Sequence, residues 1–329
     1  MNGKVLKVLV VAHTKNGVFS PFVREQAYAL KNAGCEIDTY GVEGKGFWGY
    51  LKNYKPLKRK LKSFNPDVVH AYYGLSGLLA NLQRRYPVVT SFLGSDIHKG
   101  GWVFRLSRIT MKLSKFNIFG GQWLMQKSGY RKSNACVVRF GVDEKQFFPI
   151  GKEETVERVK QDPLLAEKLS SAISSGGKMH SILFAGAFAN AVKNAPLAQA
   201  AVDLLKKEGD YELLELKGYS REQVNLLQNF VDCLVVTSLR EGGGPLVVKE
   251  AMASGCPVVS VEVGDVREFI GSLEGCFIVE RTPEAVADGI RKAVAFGRKT
   301  DGTARLKELE LFNNIIAGKL LEVYSKVVA

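Results

Sequence analysis

Nowhere in the 329 residues does an uninterrupted apolar run approach the roughly 18 residues that a membrane span requires, so the chain reads as soluble or peripheral. The opening "KVLKVLVVAH" has a basic flank but is too short for a signal peptide and runs into a polar turn; it reads as a first strand. Cysteine is sparse: Cys35, Cys136, Cys233, Cys256 and Cys276 are odd in number and widely spaced, and no two form a C-x-x-C pair. That excludes a disulfide framework or zinc site of the usual spacing and points to a reducing, cytoplasmic compartment. No repeat of about 20–50 residues is evident, which sets solenoids and propellers aside.

Acidic residues are missing from one half. Residues 1–150 carry 24 Lys/Arg against 8 Asp/Glu, a net +16, whereas residues 151–329 carry 22 against 25, a net −3. Between Asp96 and Asp143 there is no acidic residue. The stretch "GFWGYLKNYKPLKRKLKSF" sets Lys52, Lys55, Lys58, Arg59, Lys60 and Lys62 among Trp48, Tyr50, Tyr54 and Leu57. It fits an anionic lipid surface with aromatics in the interface, and equally a solvated helix at a domain edge. No nucleic-acid module is legible, so nucleic acid is not expected as a partner.

Length suggests two domains. Strand-length apolar runs alternate with helical patterns in two series. The first holds "KVLVVAH", the helical "SPFVREQAYALKNAG" with Ser20 and Pro21 at its start, then "EIDTYGV", "PDVVHAYYG" and "YPVVTSFLGSD". The second begins near Ser181 with "SILFAGAF" and continues through "YELLELKG", "CLVVTS" and "PVVSVEV". Near-continuous apolar strands separated by helices predict α/β domains built on parallel sheets covered on both faces. The expected division is residues 1–150, a polar linker over residues 151–175 ending in Ser-Ser-Gly-Gly, and residues 176–329, with the last helix free to pack on either domain.

The richest local signal is "EGGGPLVVKEAMASGCPVVS", beginning at Glu241. It follows an apolar strand and precedes a helix, the place where open α/β sheets bind ligands. Gly242, Gly243 and Gly244 leave backbone N–H groups uncovered, and Pro245 suits the first helical position. The N–H groups of Leu246 and Val247, with the helix dipole, offer an anion site suited to a diphosphate. Glu241 and Glu250 lie too far apart to act on one bond and read as contacts to two parts of one ligand. Asp265-Val-Arg-Glu268 reads as a capping box without chemistry.

Together these segments resemble the retaining glycosyltransferases of family 4, the group 1 transferases with GT-B architecture. The resemblance rests on "TSLREGGGPLVVKEAMASGCPVVSVEVGDVREFI", supported by "FGVDEKQFFP" and "ILFAGAFANAVKN". It implies two Rossmann-like doubly wound domains facing across a cleft, with a nucleotide diphosphate sugar as donor. Carried over residue by residue, Glu241 contacts the donor sugar near the reacting centre and Glu250 holds the ribose hydroxyls. Leu246 and Val247 give N–H groups to the diphosphate, while Gly243, Gly244 and Pro245 shape the sugar pocket. Lys193 neutralises the leaving diphosphate, residues 217–224 face the base, and Gly17 lets the first loop approach the phosphates. The resemblance implies no metal and no bound cofactor, in keeping with the lack of a D-x-D pair.

The chain departs from the family pattern in four places. Three glycines rather than two follow Glu241, Ala187 stands where an arginine is frequent, and Leu93 and Tyr72 stand where histidines are. Asp96 is a candidate catalytic residue at a strand end, with His98 and His70 as acceptor-side candidates. The resulting expectation is a hexosyltransferase-type enzyme, cytoplasmic and peripheral to the inner membrane face, acting on a glycan or lipid-linked acceptor in cell-surface polysaccharide assembly. A nucleotide-sugar 2-epimerase of the same architecture and a non-catalytic nucleotide-sugar-binding relative are the rivals.

Overall fold

The computed structural model describes residues 5–44, 46–98, 100–241 and 244–328, without the side chain of Phe47. The chain divides into two compact units: residues 1–141 with 313–329, and residues 142–312.

The first unit holds strands β1 (Lys7–Lys15), β2 (Val18–Phe19), β3 (Glu36–Val42), β4 (Val68–Tyr72), β5 (Val88–Phe92), β6 (Phe116–Phe119) and β7 (Ala135–Val137). Six run parallel in the order β3-β1-β4-β5-β6-β7, and β2 folds back antiparallel on the end of β1. Alternation along the strands feeds two cores. Val8, Val68, Val89 and Ile118 meet Ile316, Leu320 and Val323 of the terminal helix Asn313–Val328 on one face. Leu9, Val11, Val69 and Ala71 meet Leu57, Leu61 and Leu79 on the other. Each such side chain contributes roughly 1.5–3 kcal/mol by leaving water. Returning the chain's end to this unit is what covers the sheet's first face.

The second unit holds β8 (His180–Phe184), β9 (Tyr211–Glu215), β10 (Cys233–Val236), β11 (Val258–Val261) and β12 (Phe277–Val279), all parallel in the order β12-β11-β10-β8-β9. In both units the first strand sits between the second and the third parallel strands, so the chain winds one way and then the other. That reversal makes a crevice at the carboxyl ends of the flanking strands, between β1 and β4 in one unit and between β8 and β10 in the other.

Several local expectations need correction. Residues 151–175, expected as a polar linker, form helices Lys152–Gln161, Pro163–Lys168 and Ser170–Ser174 within the second unit. Their apolar positions Val159, Leu165 and Ala172 are buried together with Thr155, a face that the surrounding charge concealed. Neither Ser20 nor Asp265 accepts a side-chain capping bond, whereas Ser220 and Gln223 form a reciprocal box on helix Arg221–Phe230. Pro245 stands one place outside the helix, which begins at Leu246.

Candidate functional site

The crevice between β8 and β10 carries the carboxylates Glu241 and Glu250 and the one cation, Lys193, singled out from the sequence. After β8 the chain passes Gly186 into a short turn, Ala191–Lys193, whose head is capped when Asn190 Oδ1 accepts from the Val192 N–H at 3.2 Å. After β10 the next loop is tied to this turn. Thr237 Oγ1 donates to the carbonyls of Lys193 (3.0 Å) and Asn194 (2.9 Å), and the Leu239 N–H donates to the Val192 carbonyl (2.8 Å). Arg281 Nη1 donates to the carbonyls of Thr237 and Ser238 from the other side. Two loops far apart in sequence are thereby held as one platform.

On it, Lys193 Nζ donates to Glu241 Oε1 at 2.7 Å, with 21% and 17% of the two side chains exposed. Gly242 and Gly243 lie outside the described residues. Gly244 does not, and its lack of a side chain is required: a Cβ there would stand 1.7 Å from Cε2 of Phe269. Phe269 is fully buried and cannot turn aside. Gly244→Ala is therefore expected to cost about 1–3 kcal/mol of stability, read by denaturant unfolding.

Beyond Gly244, helix Leu246–Ala253 presents the N–H groups of Leu246 and Val247 at its head, where no intrahelical carbonyl reaches them. Glu250 lies in its second turn, almost wholly buried, and accepts from Arg221 Nη1 at 2.7 Å. The Arg221 guanidinium lies 4.5 Å from the centre of the Phe147 ring. Burial pushes the Glu250 carboxyl above its ordinary value, opposed by the charge and hydrogen bond of Arg221 and by the charge of Lys249. The helix is anchored from behind, where Ser254 Oγ donates to Asn225 Oδ1 (2.8 Å) and Gln228 Nε2 donates to the Val247 carbonyl (3.3 Å). The arrangement is thus two carboxylates, each held by a cation, one before and one after a helix head in the chain that follows β10. It can accept a dianion at the helix head and a set of hydroxyls at Glu250.

Arg221, Arg281, Thr237 and Phe269 were not singled out from the sequence. The Ser-x-x-Gln box does place Arg221 at the start of a helix, but nothing local points it at Glu250.

The amino-terminal unit has its own crevice. A cavity of about 620 Å³ opens at the ends of β1, β4 and β5, lined by His13, Tyr50, Tyr72, Tyr73 and Trp102 among others. Tyr73 is held at φ +82°, a strained setting for a bulky residue and one that clusters at functional sites. Gly17 lies in the β1–β2 turn at φ +75°, a conformation that suits glycine. His98 is half-buried and stacks on Trp123, with ring centres 4.2 Å apart.

Two candidates in this unit face inward. His70 has no exposed surface; its ring nitrogens bond Tyr324 Oη (2.6 Å) and Ser91 Oγ (2.8 Å), and burial pushes its pKa down to about 3. It pins the terminal helix to the sheet and is not an acceptor contact. Asp96 is likewise fully buried, accepting the N–H groups of Leu93, Gly94 and Gly74. It organises the loop after β5 rather than presenting a carboxylate for catalysis. Burial raises its pKa from 3.8 to about 6, against the lowering effect of those N–H donors. A pKa raised on folding contributes stability below about pH 4 that is lost as pH rises through about 6, an effect of roughly 3 kcal/mol. Urea unfolding from pH 4 to 7 should show that fall, and Asp96→Asn should flatten it while leaving the Gly74 N–H unsatisfied.

Residues 9–126 match the family model described as Glycosyl transferase 4-like, and residues 204–301 match Glycosyl transferases group 1. No curated protein sequence gives a significant match. Among solved structures, a sucrose-phosphate synthase from Thermosynechococcus elongatus superposes with a TM-score of 0.75 at 16% identity, covering 98% of both chains. A glycosyltransferase from Rickettsia africae gives 0.74 at 17%, covering 98% of this chain and 99% of that one. HepE from Anabaena, solved in complex with UDP and glucose, gives 0.71 at 14%, covering 98% and 100%. The fold is GT-B, with a glycosyltransferase domain match in each half of the chain.

Proposed function

We propose that this chain is a retaining glycosyltransferase of family 4 that takes a sugar from a nucleotide diphosphate sugar without a metal ion. The observation that carries the reading is the Lys193–Glu241 pair, 2.7 Å apart beside the head of the Leu246–Ala253 helix at the topological reversal of the second unit. The helix head and Lys193 together do the work of a cation on the leaving diphosphate, Glu241 contacts the transferred sugar, and Glu250 holds the ribose. Retention proceeds by attack on the face from which the diphosphate leaves, and the departing phosphate takes the acceptor's proton. No side-chain base is needed, which accommodates the buried Asp96. The aromatic crevice of the first unit receives the acceptor, a glycan or lipid-linked glycan in cell-surface polysaccharide assembly. HepE was solved with UDP, and UDP is accordingly the first nucleotide to try.

The test is thermal stabilisation of the purified protein by UDP, GDP and their common sugar conjugates. At about 100 times its dissociation constant a ligand adds roughly 2.7 kcal/mol to stability. The expected result is a response to one nucleotide by the wild type, lost in Glu250→Ala and weakened in Lys193→Ala. A folded wild type that responds to none of them would overturn the donor site. Stabilisation without sugar transfer or donor hydrolysis would favour the non-catalytic relative instead.

A further inference from the structure

Helix Gly101–Leu113 has one face committed to the fold and one committed to nothing. Ser107, Thr110 and Met111 are buried, and Thr110 Oγ1 donates to the Gly74 carbonyl at 2.9 Å. The neighbouring helix Gly74–Asn81 approaches so closely that a Cβ on Gly74 would stand 2.2 Å from Ser107 Oγ. The opposite face carries Trp102, Ile109 and Leu113, exposed by 52%, 46% and 36%. At 3.6 residues per turn these three fall within an arc of about 40°, and Arg105, Lys112 and Arg108 border it over the next 120° or so. All three basic side chains are exposed, and no acidic residue occurs anywhere between Asp96 and Asp143.

An apolar stripe edged by cations is what an interfacial helix shows. The basic helix Tyr54–Phe64 lacks the first half of that combination. Its Leu57 and Leu61 are core residues, and Tyr54 and Phe64 pack against the same core; the exposed Trp48 and Leu51 belong to the short helix before it, Gly46–Leu51. Trp102 also lines the 620 Å³ crevice, so the exposed stripe runs to the mouth of the cavity that the preceding reading gives to the acceptor.

We propose that the outer face of helix Gly101–Leu113 docks on an anionic membrane surface. Trp102, Ile109 and Leu113 enter the interface and Arg105, Arg108 and Lys112 lie on the headgroups, delivering a lipid-borne acceptor to the crevice beside Trp102. The delivery role rests on the glycosyltransferase reading; the docking does not.

The experiment is co-sedimentation of the full chain with vesicles of phosphatidylcholine alone, or of phosphatidylcholine and phosphatidylglycerol in equal amounts. The wild type is expected to pellet with the second and not the first, less so at high salt. With each basic residue near the surface worth about fivefold in binding, Arg105→Ala/Arg108→Ala/Lys112→Ala should weaken it on the order of 100-fold. Ile109→Ser/Leu113→Ser should weaken it at least about tenfold at unchanged charge. Both sets alter exposed positions, so the melting temperature should hold. The control Lys58→Ala/Arg59→Ala/Lys62→Ala should bind nearly as the wild type does. Wild-type protein that ignores anionic vesicles, or binds neutral ones equally, overturns the proposal, as does loss confined to the control variant. Tighter binding to a labelled DNA or RNA duplex, abolished by the three-arginine/lysine set and untouched by the serine pair, assigns the face to nucleic acid and overturns it too. Stabilisation by UDP, measured on the same samples without vesicles, separates the two readings. A vesicle-binding protein that answers no nucleotide sinks the transferase and keeps the docking face.

Discussion

Lys193→Ala is expected to lower kcat by about 10²- to 10³-fold in a protein that still folds. The ammonium sits where two loops are already fixed to one another through Thr237 and Leu239, so its position does not depend on a ligand to organise it. Its partner Glu241 belongs to the same site, and the pair is partly exposed. Losing such a partly solvated pair costs little stability, on the order of 1 kcal/mol. On the proposed transferase reading the large effect comes from turnover, because negative charge would grow on the diphosphate as the sugar departs. An ammonium fixed in a partly dry crevice stabilises the transition state more than the bound donor. The variant should therefore lose more in kcat than in donor affinity, and Lys193→Arg should restore part of it. A fall in affinity alone, with kcat within about threefold of the wild type, would show uniform binding rather than leaving-group stabilisation.

What could be read in the sequence was what is local in it. The strands of both sheets were legible because parallel strands buried on both faces are continuously apolar, as in β4, β5, β10 and β11. The glycine loop, the helix after it and the carboxylates at its two sides were legible because they form one short stretch of chain. The partners of those carboxylates were not. Arg221 lies 29 residues from Glu250 and reaches it only once two helices pack side by side. Phe269, which makes Gly244 obligatory, comes from a third helix. His70 and Asp96 were read as site residues because polar residues at strand ends line crevices. The same positions also lie where loops and a returning helix need a buried polar anchor, and composition cannot tell the two apart. Residues 151–175 passed for a linker because their charged faces hide short buried ones.

Arg221→Ala is expected to destabilise the second unit by about 2–4 kcal/mol near pH 8 and to abolish nucleotide binding. Glu250 is almost wholly enclosed, and its carboxylate accepts from the Arg221 guanidinium at 2.7 Å. Removing one member of such a pair leaves the other charged in a place water hardly reaches, which costs more than the pair itself contributed. The wild-type carboxyl is already raised above its ordinary value by burial, with Arg221 holding it down. Without the guanidinium it rises further. A carboxyl whose folded value exceeds its unfolded one loses stability as pH rises through that folded value, so the variant's deficit should be smaller at pH 5 than at pH 8. Denaturant midpoints of wild type and variant at pH 5 and pH 8 give the comparison. Adding Glu250→Gln to Arg221→Ala should recover most of the lost stability at pH 8, because the buried charge is gone, and none of the nucleotide binding if Glu250 holds the ribose as proposed. Equal deficits at the two pH values would mean that lost packing of the guanidinium on Phe147, rather than the stranded carboxylate, sets the cost.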